Sequence, residues 1–201
     1  MDLFFIADII GIIAFAISGF LVALKNNLDL LGILIASFLT AIGGGIVRDI
    51  LIDRTPFAFT HTYPSLTIVI TILIVVLVNS QVKENLVNSK LFVLSDTIGL
   101  VAFSLAGALL GIEAEFNFFG ILIVGFLTAI GGGVIRDVMI NEVPAILISD
   151  FYGSIAILTS VLLYLLNSFF VLNSITLGSV AIFAITTRLL AYKYKWRLPK
   201  L

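Results

Sequence analysis

Twice in this chain three consecutive glycines stand inside a long apolar run, with an arginine and an aspartate one helical turn later. The first stretch reads Thr40-Ala41-Ile42-Gly43-Gly44-Gly45-Ile46-Val47-Arg48-Asp49, and 88 residues on it returns as Thr128-Ala129-Ile130-Gly131-Gly132-Gly133-Val134-Ile135-Arg136-Asp137. Glycine is poor in a helix interior and charge is costly in lipid, so neither feature is neutral there. Three residues without side chains let a helix bend or unwind, and its carbonyls can then face an aqueous cavity or approach another helix closely. Simple close packing uses small residues four apart, which suffices for Gly11, Gly19, Gly99 and Gly107. Three in a row instead predict a mid-membrane break in two related helices, the setting of a permeation or substrate site. Hydroxyls lie nearby at Ser18, Ser37, Thr40, Ser104 and Thr128. Serine and threonine in such helices usually bond back to their own carbonyls. Thr40 and Thr128, immediately before the triplets, are expected to do more, with Ser37 on the same path.

The charges come next. Adjacent helical residues do not face each other, so Arg48 need not be neutralised by Asp49, nor Arg136 by Asp137. Each guanidinium needs another partner or water. Depth in the membrane places Asp8 level with Arg48, and Asp96 level with Arg136 with Asp150 near. The groups read either as buried ion locks or as charged vestibules at the two mouths of a pore, and one arrangement can serve both.

Elements able to hold these residues follow from composition. The 201 residues are 61% hydrophobic and 11% charged, and a mean hydropathy of +1.24 identifies an integral membrane protein. A net charge of -1 without a basic stripe argues against nucleic-acid binding. With no cysteine, disulfides, thiolate metal sites and thiol nucleophiles are excluded. The one histidine, His61, lies in a Thr-His-Thr-Tyr loop without a second metal ligand at useful spacing, and reads as an interfacial loop residue. A cleaved signal peptide is not expected behind Met1-Asp2, since there is no basic leader and the first apolar run is too long. No Ser-His-Asp set, His-Glu-x-x-His or phosphate loop appears, so no enzyme chemistry is expected.

Apolar runs of about 20 residues cross a bilayer as helix, and they predict an all-α membrane protein with seven spans: 3–24, 29–52, 63–80, 91–112, 117–141, 145–166 and 170–191. With the C-terminus in the cytoplasm, Lys25, Lys83, Lys90, Lys193, Lys195, Arg197 and Lys200 fall inside, and Arg54 is the only basic loop residue outside. The 88-residue register also matches Asp8 to Asp96, Gly11 to Gly99, Gly19 to Gly107, Gly32 to Gly120 and Pro56 to Pro144. Three spans per unit, an odd number, turn the second unit over, giving an inverted repeat. The organisation is then one membrane domain, with 1–88 the first three-helix repeat, 89–168 the second, and 169–201 a seventh helix and basic cytoplasmic tail.

Two Gly-Gly-Gly-x-x-Arg-Asp boxes in a three-plus-three-plus-one chain of this length resemble the prokaryotic members of the trimeric intracellular cation channel family, also known as a bacterial glycine-transporter domain family. The resemblance covers nearly the whole chain. It implies a homotrimer with one pore per subunit through the repeat core, lined by second and fifth helices kinked at Gly43 to Gly45 and Gly131 to Gly133. It implies monovalent cations, K+ or Na+, as the permeant species, with no cofactor. Animal relatives carry basic residues near the kink that hold a phosphoinositide, and the boxes here do not carry that role over. A secondary transporter for glycine or a similar small zwitterion is the alternative, because exposed helix amides and carbonyls suit a carboxylate and an ammonium group.

Overall fold

The structure is a computed structural model that describes residues 3–81, 89–148, 151–169 and 172–196. Its helices in chain order are α1 (Leu3–Lys25), α2 (Leu30–Leu51), α3 (Phe57–Thr60), α4 (Tyr63–Gln81), α5 (Ser89–Glu113), α6 (Phe118–Met139), α7 (Ala145–Ile148), α8 (Tyr152–Phe169) and α9 (Ser174–Lys193). Six of these are long and apolar enough to cross a membrane, and α4 contributes a shorter apolar stretch, Tyr63–Leu77. The protein is therefore an all-helical, multi-pass membrane protein.

Local chemistry sets the boundaries, and it sets them twice. Asp29 caps α2 by accepting from Gly32 N at 2.8 Å, and Asn117 caps α6 by accepting from Gly120 N at 2.9 Å. Asn27, Asp53, Glu115 and Asn141 all take the left-handed conformation at helix ends. There Leu28 N, Arg54 N, Phe116 N and Glu142 N reach back to the carbonyls of Ala23, Asp49, Gly111 and Asp137, the bond that satisfies orphan carbonyls at a helix end. In each set the later members sit 88 residues after the earlier ones. The sixth expected span, 145–166, is instead a single turn (α7) followed by α8 from Tyr152, with Phe151 at φ 58° between them. The seventh begins at Ser174, where Asn173 makes a reciprocal capping box with Thr176.

Helices α1 and α5 form the centre, and Phe15 and Phe103 meet edge to face on it at 5.2 Å. A methyl on Gly11 would strike the Phe103 ring, and one on Gly99 would strike Phe15, so both glycines are small because an aromatic ring occupies their side-chain space. On one face of this pair α2 and α6 cross each other.

The crossing corrects the expected helix break. Both helices are α-helical through their triplets, Leu30–Leu51 and Phe118–Met139. A Cβ on Gly44 would run into the Thr128 carbonyl oxygen, one on Gly132 into the Thr40 carbonyl oxygen, and one on Gly43 would lie 3.2 Å from Gly132 Cα. The backbones are in contact, and that contact is what three consecutive glycines permit. Gly45 has a different neighbour, the Phe57 ring of α3, and Gly133 has only Tyr152 Oη at 3.5 Å and Arg136 Nη2 at 3.8 Å.

Gly44→Ala or Gly132→Ala should overfill the crossing and cost roughly 1 to 3 kcal/mol. Gly133→Ala has room for its methyl and gains helix propensity, so it should be neutral or slightly stabilising. Melting temperatures in detergent decide the matter: equal loss at positions 44 and 133 would remove the crossing as the reason for the triplet.

Candidate functional site

Each box delivers its arginine to a buried cluster at one end of the bundle. Arg48 donates from Nη1 to Asp8 Oδ1 at 2.9 Å and from Nε to Asp49 Oδ1 at 2.8 Å, with the arginine and Asp8 wholly shielded. Asp8 Oδ2 accepts from the Tyr63 hydroxyl at 3.0 Å, and Asp49 Oδ2 accepts from Phe57 N at 2.8 Å. The guanidinium plane faces the rings of Phe4 at 4.8 Å and Phe57 at 5.1 Å. Among the described residues Nη2 has no hydrogen-bond partner. One cluster therefore joins α1, α2, α3 and α4.

The second cluster repeats the plan with substitutions, Ala145 standing at the place of Phe57 and Phe151 at that of Tyr63. Arg136 Nε donates to Asp137 Oδ1 at 2.8 Å, and Asp137 Oδ2 accepts from Ala145 N at 2.9 Å, fixing α7 as Asp49 fixes α3. Arg136 Nη1 stands 3.6 Å from Asp96 Oδ1 because a hydroxyl lies between them. Ser18 Oγ accepts from Nη1 at 2.8 Å and donates to Asp96 at 2.9 Å. The residue 88 positions after Ser18 is Ala106, so the first cluster has no such bridge and pairs directly. Phe92 covers this guanidinium at 5.6 Å, and Arg188 of α9 lies 5.3 Å over the Tyr152 ring beside it.

Depth matching thus brings together Asp8 with Arg48 and Asp96 with Arg136, as expected. Helix geometry did not require each arginine to pair with its neighbouring aspartate, yet both do. The backbone bonds from Cα point apart, but the arginine side chain is long enough to fold its Nε back onto the next carboxylate. Ser37, Thr40 and Thr128 bond to the carbonyls of Ile33, Ala36 and Val124, so their hydroxyls serve their own helices. Thr40 and Thr128 act at the crossing through their backbone oxygens instead. Ser104 bonds the Ala156 carbonyl of α8. Sequence reading assigned no role to Ser18 in a cluster, and none to Tyr63. Asp150, with Lys83, Arg197 and Lys200, lies outside the described residues.

Each cluster floors a cleft. At the Arg48 end a space of about 470 Å3 is bounded by Phe4, Arg48, Asp49, Arg54, His61 and Tyr63. His61 is exposed here and its Nδ1 lies 2.8 Å from Thr60 Oγ1. At the Arg136 end one of about 320 Å3 is bounded by Lys25, Phe92, Arg136, Asp137, Glu142 and Ala145. Phe4, Arg48, Asp49 and Arg54 correspond at the 88-residue offset to Phe92, Arg136, Asp137 and Glu142. The glycine crossing belongs to the same two helices that carry the cleft floors.

Breaking one buried pair leaves an uncompensated charge, so Asp8→Ala should cost about 3 to 5 kcal/mol. Pairing it with Arg48→Met should recover part of that loss, whereas Tyr63→Phe alone should cost only about 1 kcal/mol. Thermal unfolding of the three variants measures this. Full additivity of Asp8→Ala and Arg48→Met would show that the pair is not coupled.

Comparison with known proteins gives the same residues a family. The family model described as "Glycine transporter" matches residues 5–80 and again 93–168, the offset already seen in the boxes. A UPF0126 membrane protein of Deinococcus radiodurans is 37% identical over 141 residues, 70% of this chain and 64% of that protein's length. The UPF0126 membrane protein YvgT of Bacillus subtilis is 32% identical over 197 residues, 96% of this chain and 93% of that protein. A solved TRIC cation channel is 36% identical over 100% of this chain and 98% of its own, with a TM-score of 0.83. A prokaryotic TRIC channel solved in 0.5 M KCl is 30% identical over 97% and 98%, with a TM-score of 0.85. The solved channels match over 97% to 100% of this chain, and the two family-model matches include both glycine boxes and both Arg–Asp pairs, so the chain is a prokaryotic member of the trimeric intracellular cation (TRIC) channel family.

Proposed function

We propose that this cation channel is a potassium-permeable, monovalent-cation-selective homotrimer with one pore in each subunit, running through the repeat core between α2 and α6. The observation that carries the reading is the pair of clefts at opposite ends, each floored by an Arg–Asp pair on the helices that meet at the glycine crossing. Contact between those backbones leaves no opening at the crossing, so this conformation is a closed one, and opening requires the two helices to part. The glycines ease that movement, because Gly44 and Gly132 meet backbone, and only the Ile135 and Val47 side chains reach the flanks of the crossing at Gly43 and Gly131. Asp8, Asp49, Asp96 and Asp137 place acidic groups toward the mouths, as a cation path needs.

The reading includes seven spans in an inverted three-plus-three repeat with α9 outside it. Reciprocal contacts support this: Gly44 meets Thr128 while Gly132 meets Thr40, and Phe103 covers Gly11 while Phe15 covers Gly99. Reciprocity of this kind is what a two-fold axis produces. It also includes a plasma-membrane location with the N-terminus outside and the C-terminus inside, since Lys25, Lys90, Lys193 and Lys195 gather at the Arg136 end while Arg54 stands at the other.

A carrier for glycine or another small zwitterion is the second reading, favoured by the description attached to the family model. Purified protein in a planar bilayer under a potassium gradient separates the two. Unitary current steps carried by K+ are the expected result, and saturable glycine uptake without such steps would replace the channel by the carrier. Native mass spectrometry should give a trimer, and a dimer at every detergent concentration would refute that assembly.

A further inference from the structure

A third opening lies at the Arg48 end, beside the first cleft, with which it shares Phe4 and Arg54. About 530 Å3 in size, it sits between the start of α1 and the end of α5, bounded by Leu3, Phe4, Leu109 and Leu110, with Arg54 and Glu113 as its charged residues. Both charged side chains are exposed. They share this space, yet the ion pairs among the described residues do not include one between them. Leu3 also lines an apolar groove of about 230 Å3 that continues between α1, α5 and α9. On α5 the two spaces follow one another by a single turn, Leu109 and then Leu105. Small residues create the groove: Ala7, Ala102, Gly178 and Ala181 line it, and nothing lies within 4 Å of a Cβ built on Gly178. From Leu109 to Ile98 the helix runs about 16 Å at 1.5 Å per residue, close to half of a hydrocarbon core of about 30 Å.

We propose that this joined space is a binding site for a zwitterionic aminophospholipid, with its phosphate on Arg54, its ammonium on Glu113 and one acyl chain in the groove between α1, α5 and α9. Arg54 and Glu113 stand where the helices end and headgroups begin, and the groove below them is one leaflet deep. A phosphoethanolamine carries an anion and a hydrogen-bonding cation two carbons apart, which matches one arginine and one glutamate facing a common space. A phosphocholine keeps the charge but has no N–H to donate to the carboxylate, and a phosphoglycerol has no cation at all. A charge-assisted hydrogen bond at each end of the headgroup is what separates the three. Lipid binding at this site does not depend on which solute the protein carries, although Arg54 and Phe4 also bound the cleft at the Arg48 end.

Native mass spectrometry of the full chain, released from bilayers of equal phosphatidylethanolamine, phosphatidylcholine and phosphatidylglycerol, tests the proposal. Phosphatidylethanolamine should be retained severalfold over the other two, and Arg54→Gln and Glu113→Gln should each abolish that preference. A Cβ on Gly178 has no protein atom within 4 Å, so Gly178→Leu extends into the groove from open space and should reduce retention of lipid at the site with little change in the melting temperature in detergent. Equal retention of phosphatidylglycerol, or a Glu113→Gln variant with its preference intact, would mean that Arg54 alone captures anions and would overturn the site. A Gly178→Leu variant that changes oligomeric state with unaltered lipid retention would assign the groove to a contact between subunits and overturn it equally.

Discussion

Two guanidinium groups in a membrane interior impose the constraint around which the other elements are arranged. An arginine removed from water must be surrounded by carboxylates and hydrogen-bond acceptors, or its helix does not stay in the bilayer. Arg48 meets that demand through Asp8 and Asp49, and the carboxylate oxygens left over then recruit the Tyr63 hydroxyl and the Phe57 amide. Satisfying one charge thereby fixes the relative positions of α1, α2, α3 and α4. Lipid offers no hydrophobic drive to bring helices together, so directional polar bonds of this kind carry a larger share of the specification than they would in water.

The glycine triplet is best understood as separate contacts that happen to be adjacent. Gly44 and Gly132 admit each other's helix backbone, and Gly43 and Gly131 extend that contact. Gly45 admits the Phe57 ring, and through it the short helix α3 that Asp49 caps. In the second copy the residue aligned with Phe57 is Ala145, whose small side chain leaves Gly133 at ordinary contact distance from Tyr152 Oη and Arg136. Each glycine in a helix costs about 1 kcal/mol relative to alanine, a cost that close approach offsets at positions 44 and 132 and that packing gives no reason for at 133.

Much of this was legible in the sequence. Hydropathy and length located the long helices, and the two aspartates one turn into their spans pointed to Arg48 and Arg136 because membrane depth is a one-dimensional coordinate that sequence spacing reports. What sequence could not report was direction around the helix axis. The threonines before the triplets looked like lining groups, but an i−4 carbonyl satisfies their hydroxyls at no conformational cost. Ser18 looked like any helical serine, and only the α1–α5 contact puts it between Arg136 and Asp96. The triplets read as breaks because the alternative needs a second helix at backbone distance, which no local pattern announces. The one-turn helices α3 and α7 were missed because they are too short for periodicity to register.

Departures from the repeat are where the two ends acquire different properties. Arg54 corresponds to Glu142 at the 88-residue offset, so the cleft at the Arg48 end has a basic rim while the cleft at the Arg136 end sets Glu142 against Lys25. A fixed positive charge at a narrow mouth lowers the local cation concentration there, and it does so more strongly at low ionic strength. On the channel reading, cations would enter more readily from the Arg136 end. The interior clusters differ in the same sense, since a direct ion pair at 2.9 Å holds one end and a hydroxyl-bridged pair at 3.6 Å holds the other. A duplicated unit that had kept its symmetry would present the same barrier from both sides. On that reading, differences such as Arg54 against Glu142, Ser18 against Ala106, and Phe57 against Ala145 would give the path a direction while the helices that frame it keep the repeat.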